Sequence, residues 1–381
     1  MLVKDREMSN IPRIFPITPD ALLTKRLYIS LIIFTRCLSG NDVFAQSSKG
    51  QPVPLFASDE PIRLVINGNI TAIRNDRDKQ STYHPVQLEV ENNEGVLIKM
   101  PAKVKTRGHY RKISKFCENP PLLINLGKDA SLKGTVMEGQ NKLKLVVPCT
   151  TNELVIREYL LYKVYNLFTT NSLNVRLTQV ILVDSLNRTP VDSITGFLLE
   201  PITQAATRNQ MVPVDKNGLK PQYLPPSDFH LMAVFQYFAG NTDWSIQYRQ
   251  NIELASYSVN TPPVPIPYDF DMSGLVGASY ARPPEELNLS SVLQRRYRGY
   301  CLPSMDALEP VFKLFNEKRA EIVKIYRETT GLSDNYRKRA LEYIEDFYRV
   351  INNPRKAEKE FTYPCLPEGT GNIVIKGLKE D

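Results

Sequence analysis

The chain is poor in the residues on which several common enzyme classes depend. Its 381 residues include only three histidines and one tryptophan. His84, His109 and His230 have no partners at the spacing of metal ligands, and the sequence shows no nucleophile elbow. A zinc enzyme or a hydrolase with a serine, histidine and aspartate triad is therefore not expected.

Long apolar runs are also absent. The apolar residues 27–34 follow two basic residues and form too short a run to span a membrane as a helix. Small residues then lead up to Ala45, which is typical of a signal-peptide cleavage site. The sequence therefore predicts a signal peptide over residues 1–45 and a secreted or periplasmic protein with no transmembrane segment after cleavage.

Neither charge nor motif points to nucleic acid. The formal net charge is +7, a small excess for this length, and no nucleic-acid-binding motif accompanies the basic clusters. These clusters could hold phosphates, but solvated faces are the favoured interpretation. We expect no nucleic-acid partner.

Cysteine is scarce, but its number fits an exported chain. Cleavage after residue 45 removes one of the five cysteines and leaves an even number, as disulfides require. Three pairings are possible, and the sequence does not choose among them. The remaining residues are Cys117, Cys149, Cys301 and Cys365.

Strand patterns dominate the first part of the chain after a linker over residues 46–58. Residues 62–66 and 70–74 flank a turn signal at Asn67-Gly68-Asn69 and are predicted to form a hairpin. A second hairpin is predicted over 86–90 and 96–104. Further strands are predicted over 122–126, 142–147, 175–183 and 193–199.

Helical patterns dominate the second part. Apolar residues recur at helical spacing over 153–168, 229–239, 307–330 and 334–351. The order predicts an α+β, bilobal protein: a β-rich region with one helix over residues 59–200, and a mainly helical region over 201–381. A cleft between two such regions is where a nucleotide would bind.

An acidic motif follows a short apolar run near residue 264. Asp269 and Asp271 are two residues apart, and on a strand they would face the same side. Two carboxylates held so close repel each other unless a cation lies between them. Oxygen ligands of this kind suit Mg²⁺ or Mn²⁺.

A second polar cluster precedes this motif and contains Asp243, followed by Asn251. A carboxylate kept apart from a metal-binding pair, together with an amide ligand, is the minimum set of groups for phosphoryl transfer. Each residue also has a plainer interpretation, because aspartate and asparagine are common in turns.

Several motifs, taken together and in order, resemble the spore coat protein H (CotH) kinase-like family. The resemblance covers roughly residues 60–300 and implies a divergent protein-kinase fold, with an antiparallel β-rich N-lobe and a mainly helical C-lobe, in a mostly exported family. The motifs are Lys105-Thr106-Arg107-Gly108-His109-Tyr110-Arg111, Lys142-Leu143-Lys144-Leu145, Glu158-Tyr159-Leu160, Gly196-Phe197-Leu198-Leu199-Glu200, Gly240-Asn241-Thr242-Asp243-Trp244, Asn251 and Pro267-Tyr268-Asp269-Phe270-Asp271.

The resemblance implies a role for each acidic position. Asp243 matches the catalytic aspartate that orients or deprotonates the attacking hydroxyl. Asn251 matches a second metal ligand, although it lies eight residues after Asp243 rather than five. Asp269 or Asp271 matches the metal-binding aspartate, with Asp269 preferred because it is the nearer to the apolar run.

The cofactor-binding residues follow in the same way, with ATP and Mg²⁺ or Mn²⁺ as cofactors. Lys144, or Lys142 on the same strand face, would neutralise the α- and β-phosphates, and Glu158 would orient that lysine. Glu200 matches the family's hinge, and Arg107 with Gly108 resembles the family's Arg-Gly-Asn turn. The chain departs from ordinary kinases because it has no Gly-x-Gly-x-x-Gly loop and no His-Arg-Asp triplet.

Three functions are compatible with these residues. The first is an exported kinase-like enzyme that phosphorylates a hydroxyl of a protein or glycan. The second is a catalytically weak pseudokinase that acts as a binding scaffold at the cell surface or in the periplasm. The third is a metal-dependent glycosyltransferase, which the absence of parallel β-α units disfavours.

Overall fold

The computed structural model describes residues 55–92, 95–114, 117–127, 132–186 and 189–363. The predicted signal peptide and most of the predicted linker lie outside these residues. In the described part of the chain, no helix is both long and apolar enough to cross a membrane. The predicted boundary at residue 200 coincides with the end of a strand and remains a prediction.

Seven strands close into a barrel in the order β1-β2-β3-β4-β5-β7-β6. Its interior is filled by apolar side chains such as Leu64, Leu88, Val104 and Leu143, all essentially inaccessible to solvent. The strands are β1 (Ile62–Gly68), β2 (His84–Glu91), β3 (Leu97–Thr106), β4 (Leu122–Asn125), β5 (Lys142–Val146), β6 (Val175–Asp184) and β7 (Thr189–Leu199).

The predicted bilobal kinase-like fold, with an antiparallel β-rich N-lobe and a mainly helical C-lobe, is wrong, because the sheet closes into a barrel. β1 pairs in parallel with β6, from Ile62 beside Thr178 to Gly68 beside Asp184, and this pairing closes the sheet. The two strands are more than a hundred residues apart, so no local hairpin signal reveals their pairing. A closed barrel has no free strand edge, because every strand has two neighbours.

The predicted return strand over residues 70–74 is also wrong, because this segment is the helix α1 (Ile70–Asn75). The Asn69 side chain accepts a hydrogen bond of 2.9 Å from the Ala72 backbone N–H and so caps the helix. The sequence Asn67-Gly68-Asn69 was interpreted as a hairpin turn, whereas its last residue is a helix cap. The hairpin predicted after it is confirmed as β2 and β3.

Four of the remaining helices agree closely with the sequence patterns, whereas α2, α4 and α8, whose bounds are given below, were not predicted. The segments predicted at 153–168, 229–239, 307–330 and 334–351 are confirmed as helices with slightly different ends. The helices are α2 (Tyr110–Ile113), α3 (Asn152–Asn166), α4 (Ile202–Arg208), α5 (Pro226–Ala239), α6 (Glu309–Glu328), α7 (Asp334–Ile351) and α8 (Pro354–Phe361).

A buried helix and a small sheet set the position of the polar loops. From Phe229 to its end at Ala239, α5 is buried at every residue. It packs beside the three-stranded sheet of β8 (Val212–Pro213), β9 (Ile252–Ser256) and β10 (Val264–Pro267). Backbone hydrogen bonds from Gly274 N to Gly240 O (3.1 Å) and from Leu275 N to Ala239 O (3.0 Å) join the loop after α5 to the loop after β10.

A disulfide links Cys117 to Cys149, one of the pairings that the sequence left open. Of the other predicted disulfide cysteines, Cys365 lies outside the described residues. The bridge spans 32 positions, so it removes considerable freedom from the unfolded chain.

Replacing Cys117 and Cys149 by serine is expected to lower the free energy of unfolding by about 3–4 kcal/mol, because the unfolded chain regains that freedom. Urea denaturation of the two proteins measures the difference. Adding reductant should remove most of the difference in stability between the two proteins. Equal stability of the two proteins before reduction would contradict the expectation.

Candidate active site

The loop that carries Asp243 is fixed by a glycine and an arginine. Gly240 ends α5 in the left-handed conformation (φ 68°), and a Cβ there would meet the Tyr343 hydroxyl. The buried Arg298 donates to the carbonyl oxygens of Thr242 (2.8 Å) and Trp244. The backbone on both sides of Asp243 is therefore anchored. The sequence interpretation gave Arg298 no role in the site.

Two amides hold the Asp243 carboxylate. Asn251 Nδ2 donates to Asp243 Oδ2 (3.0 Å) and to the Asp243 backbone oxygen (2.8 Å), and Gln250 Nε2 donates to Oδ1. Asn251 adopts a positive φ of 52°, a conformation in which asparagine is tolerated better than most residues. The predicted pair of Asp243 and Asn251 is thus in direct contact, whereas Gln250 was missed by the sequence interpretation.

Asp269 and Asp271 lie just beyond β10, which ends at Pro267. The expectation that they share a strand face does not apply, because Asp269 has a φ of 59° and the chain has left the strand. The backbone N–H of Asp269 donates to the Tyr162 hydroxyl (2.8 Å). The Asp269 side chain is one-third exposed and that of Asp271 is buried.

Both aspartates nevertheless meet at one cation, Arg111 of α2. The guanidinium lies 3.3 Å from Asp269 Oδ1, 3.2 Å from Asp271 Oδ2 and 3.4 Å from Glu158 Oε2. Tyr280 donates a further hydrogen bond of 3.1 Å to Asp271 Oδ2. A single buried arginine therefore spans three carboxylates. The sequence includes Arg111 at the end of the motif that starts at Lys105, but it gives Arg111 no role and no signal that it faces inward.

Glu158 has a different partner from the one predicted. It was expected to orient Lys144 or Lys142, but its ion pair is with Arg111. Its second oxygen, Oε1, is buried and has no hydrogen-bond partner among the described residues. Burial raises the pKa of Glu158, while the charge of Arg111 opposes this change and favours the carboxylate.

The two candidate lysines differ in position. Lys144 is partly buried on β5, with Nζ 3.9 Å from Glu253 Oε1 and 4.6 Å from the centre of the Tyr268 ring. Burial lowers the pKa of Lys144, the charge of Arg107 lowers it further, and Glu253 and Asp269 oppose the change. Lys142 is exposed at the start of the same strand. Lys144 is therefore the lysine that acts electrostatically on the acidic residues.

Arg107 and Glu200 also differ in their relation to the site. The charge of Arg107 influences the pKa of both Lys144 and Glu158, so it acts within the same electrostatic environment. Glu200 is buried in an ion pair with Arg208 (2.9 Å) and accepts from the Asn174 backbone N–H (2.8 Å). Its contacts join the end of β7 to α4, and none of them involves the acidic cluster.

Asp243 is electrostatically coupled to the two aspartates. Burial, followed by the charges of Asp271 and Asp269, raises the pKa of its carboxyl group to about 7. Arg298 and the hydrogen bond from Asn251 act in the opposite direction. The folded protein therefore binds a proton at Asp243 over a pH range in which the unfolded chain has lost it.

This difference predicts that, without divalent cations, the contribution of Asp243 to stability falls as the pH rises from about 4 to 7 and changes little above that. A carboxyl group with a raised pKa favours folding fully below its unfolded pKa of 3.8, and this contribution is lost as the pH passes through 7. Melting temperatures of wild type and Asp243→Asn across this range measure the effect. The variant should show a smaller fall, and an identical fall in both proteins would contradict the assignment.

The donor set suits a hard divalent cation. Asp269 and Asp271 offer carboxylate oxygens, and Asn251 offers an amide oxygen because its nitrogen is used on Asp243. After burial, the negative charges of Asp271 and Asp269 are the next largest causes of the raised pKa of Asp243, so the three carboxylates act on one another. Among the described residues, no three histidine, cysteine, aspartate or glutamate side chains form a complete metal site. Mg²⁺ typically takes one or two protein carboxylates and completes its shell with phosphates and water.

Comparison with known proteins gives only a distant likeness. No family model matches the chain. No curated protein sequence matches it either. A crystal structure of the Helicobacter pylori proinflammatory kinase CtkA matches with a TM-score of 0.37 and 13% identity, over 58% of this chain and 92% of that one. A likeness this distant assigns neither a fold nor a function, so the site is interpreted from its own residues.

Proposed function

We propose that this protein is an ATP- and metal-dependent phosphotransferase that transfers the γ-phosphoryl group to a hydroxyl of a protein or glycan. The observation that supports it is the convergence of Asp243 and Asn251 with Asp269 and Asp271, which come from a separate loop. The basic residue Lys144 acts on the same cluster from the barrel. Phosphoryl transfer depends mainly on such positioning and charge neutralisation.

Asp243 is the proposed proton acceptor. Its pKa of about 7 lies close to neutral pH, where a general base combines availability with proton-transfer strength. The amides of Gln250 and Asn251 fix the orientation of its carboxylate, and Arg298 fixes the loop behind it. An acceptor hydroxyl that approaches Asp243 would be oriented by it and would lose its proton to it.

Asn251, Asp269 and Asp271 would hold Mg²⁺ or Mn²⁺. When bound, the metal neutralises phosphate charge and orients the transferred group. Lys144 and Arg107 supply positive charge from the barrel side, where the α- and β-phosphates of ATP need it. Lys142 is exposed and Glu200 is committed to Arg208, so neither has a role in this proposal.

Export is part of the proposal. The Cys117–Cys149 disulfide supports it, because such bonds persist mainly in oxidising compartments. A hydroxyl acceptor outside the cytoplasm would be a surface protein or a glycan, and both classes are retained as candidates.

To test the proposal, the full chain is incubated with ATP and either Mg²⁺ or Mn²⁺, and ADP is measured. The acceptors are a generic kinase substrate such as casein and, separately, oligosaccharides. The expected result is ADP production that requires the metal and stops with EDTA. Asp59→Asn serves as a matched control, because Asp59 is an exposed aspartate paired with Lys163 outside the site. If no acceptor yields ADP above the background measured in EDTA, and hydrolysis by water yields none either, the proposed enzymatic activity is rejected.

A non-catalytic binding protein is the second candidate, and one observation favours it. Both Asp243 oxygens already accept amide hydrogen bonds, and Arg111 spans the carboxylates that a metal would use. Such a protein would bind ATP with metal but produce no ADP. The same assay, combined with a nucleotide-binding measurement, separates the two candidates.

A further inference from the structure

The cluster around Arg111 contains one feature that its contacts do not explain. Glu158 is only 1% exposed, yet its Oε1 has no hydrogen-bond partner among the described residues. Its other oxygen lies 3.4 Å from Arg111 NH1, so the pair is joined at one oxygen only. A buried carboxylate oxygen without a partner carries a desolvation cost.

Arg111 is shared among more acceptors than it can satisfy well. Its Nη2 and Nε atoms lie 3.3 Å from Asp269 Oδ1 and 3.2 Å from Asp271 Oδ2. These distances are long for charge-assisted bonds between arginine and carboxylate, which are typically about 2.7–2.9 Å. The guanidinium therefore lies near three carboxylates, but it forms a bidentate pair with none of them.

We propose that Arg111 is an internal cation that competes with a divalent metal for Asp269 and Asp271. When the metal binds these aspartates, Arg111 moves fully onto Glu158 and fills the vacant Oε1 with a second N–H. An arginine and a carboxylate can pair through two parallel hydrogen bonds, so Glu158 is suited to receive it. Glu158 is thus a positioning residue for Arg111, which itself regulates access to the proposed metal site.

This proposal rests on the proposed metal site but not on phosphoryl transfer. It is tested on the full chain without nucleotide, by calorimetric titration with Mn²⁺ alone. In Arg111→Met the competitor is gone, and the Mn²⁺ affinity is expected to rise about tenfold, equivalent to the loss of one charge-assisted contact that the metal must otherwise break. In Glu158→Gln the receiving carboxylate is gone, and the affinity is expected to fall.

Thermal stability gives a second readout. Removing Arg111 leaves buried carboxylates without their cation, so Arg111→Met should melt earlier than wild type in EDTA and regain most of the loss in Mn²⁺. Arg74→Met is the matched control, because Arg74 joins Glu118 and Asp192 elsewhere on the barrel. Its melting point should fall equally with and without Mn²⁺.

If Arg111→Met does not fold, Arg111→Lys and Glu158→Gln decide the question by the same titration. Lysine keeps the charge but cannot span three carboxylates, so its Mn²⁺ affinity should lie above that of wild type. Unchanged or weaker Mn²⁺ binding in the Arg111 variants overturns the proposal, as does unchanged binding in Glu158→Gln. A protein that shows the expected Mn²⁺ effects but makes no ADP would retain this inference and lose only the enzymatic proposal.

Discussion

Asp243→Asn is expected to lower ADP production by about 10²–10⁴-fold, the range typical of a lost general base. The amide cannot accept the proton of the acceptor hydroxyl. The side-chain nitrogen of the new asparagine would also face an N–H donor of Gln250 or Asn251, so one of these two hydrogen bonds would be lost. Binding of ATP and metal should change much less than turnover, because Asp243 is not one of the proposed metal ligands.

Steady-state assays over a range of ATP and Mn²⁺ concentrations separate these effects. The Asp59→Asn control should retain wild-type turnover, which shows that loss of an aspartate charge alone is harmless. Turnover of Asp243→Asn within a few-fold of wild type would remove Asp243 from the proposed mechanism.

Asp269→Asn is expected to lower metal-dependent turnover by about 10²–10³-fold, similar to the loss of other preorganised electrostatic groups. Its side chain is one-third exposed, and Arg111 keeps Asp271 and Glu158 as partners, so the fold should tolerate the change. The variant should require more Mn²⁺ for half-maximal activity, since an amide oxygen is a weaker ligand than a carboxylate.

Asp271→Asn provides the comparison for this prediction. Asp271 is buried and bonded to Arg111 and Tyr280, so its loss should reduce both activity and thermal stability. A variant Asp269→Asn that keeps the wild-type Mn²⁺ requirement would show that Asp269 is not a metal ligand and would leave Asp271 as the candidate.

The elements with strong local patterns could be predicted from the sequence. The hairpin of β2 and β3 follows from alternation around a turn, and α3 and α7 follow from apolar spacing. The barrel could not be predicted, because its closure depends on pairing β1 with the distant β6. Residues 70–74 were misjudged because Asn69 can end a turn or cap a helix, and the surroundings decide which.

For the site, the sequence identified several of the acidic and amide residues but not the residues that contact them. Asp243 and Asn251 were identified, and the structure joins them by hydrogen bonds. Asp269 and Asp271 were identified as a pair, but the cation between them in this structure is Arg111. One basic residue among several near residue 107 cannot be singled out by sequence alone, because the short helix α2 determines which side chain turns inward.

Glu158 and Glu200 illustrate the same limit. Both are buried glutamates whose importance the resemblance suggested, yet their partners are Arg111 and Arg208. A buried carboxylate needs a cation, but the sequence does not say which cation the fold brings to it. Only the tertiary structure distinguishes a glutamate that belongs to the acidic cluster from one that joins two elements.

The most direct test of the central claim is a calorimetric titration of ATP into the full chain with and without Mn²⁺. The account predicts that ATP binds measurably only when Mn²⁺ is present, because Asp243, Asp269 and Asp271 repel the phosphates until a divalent cation neutralises them. ATP binding of equal affinity in EDTA, or no binding under either condition, would contradict the account.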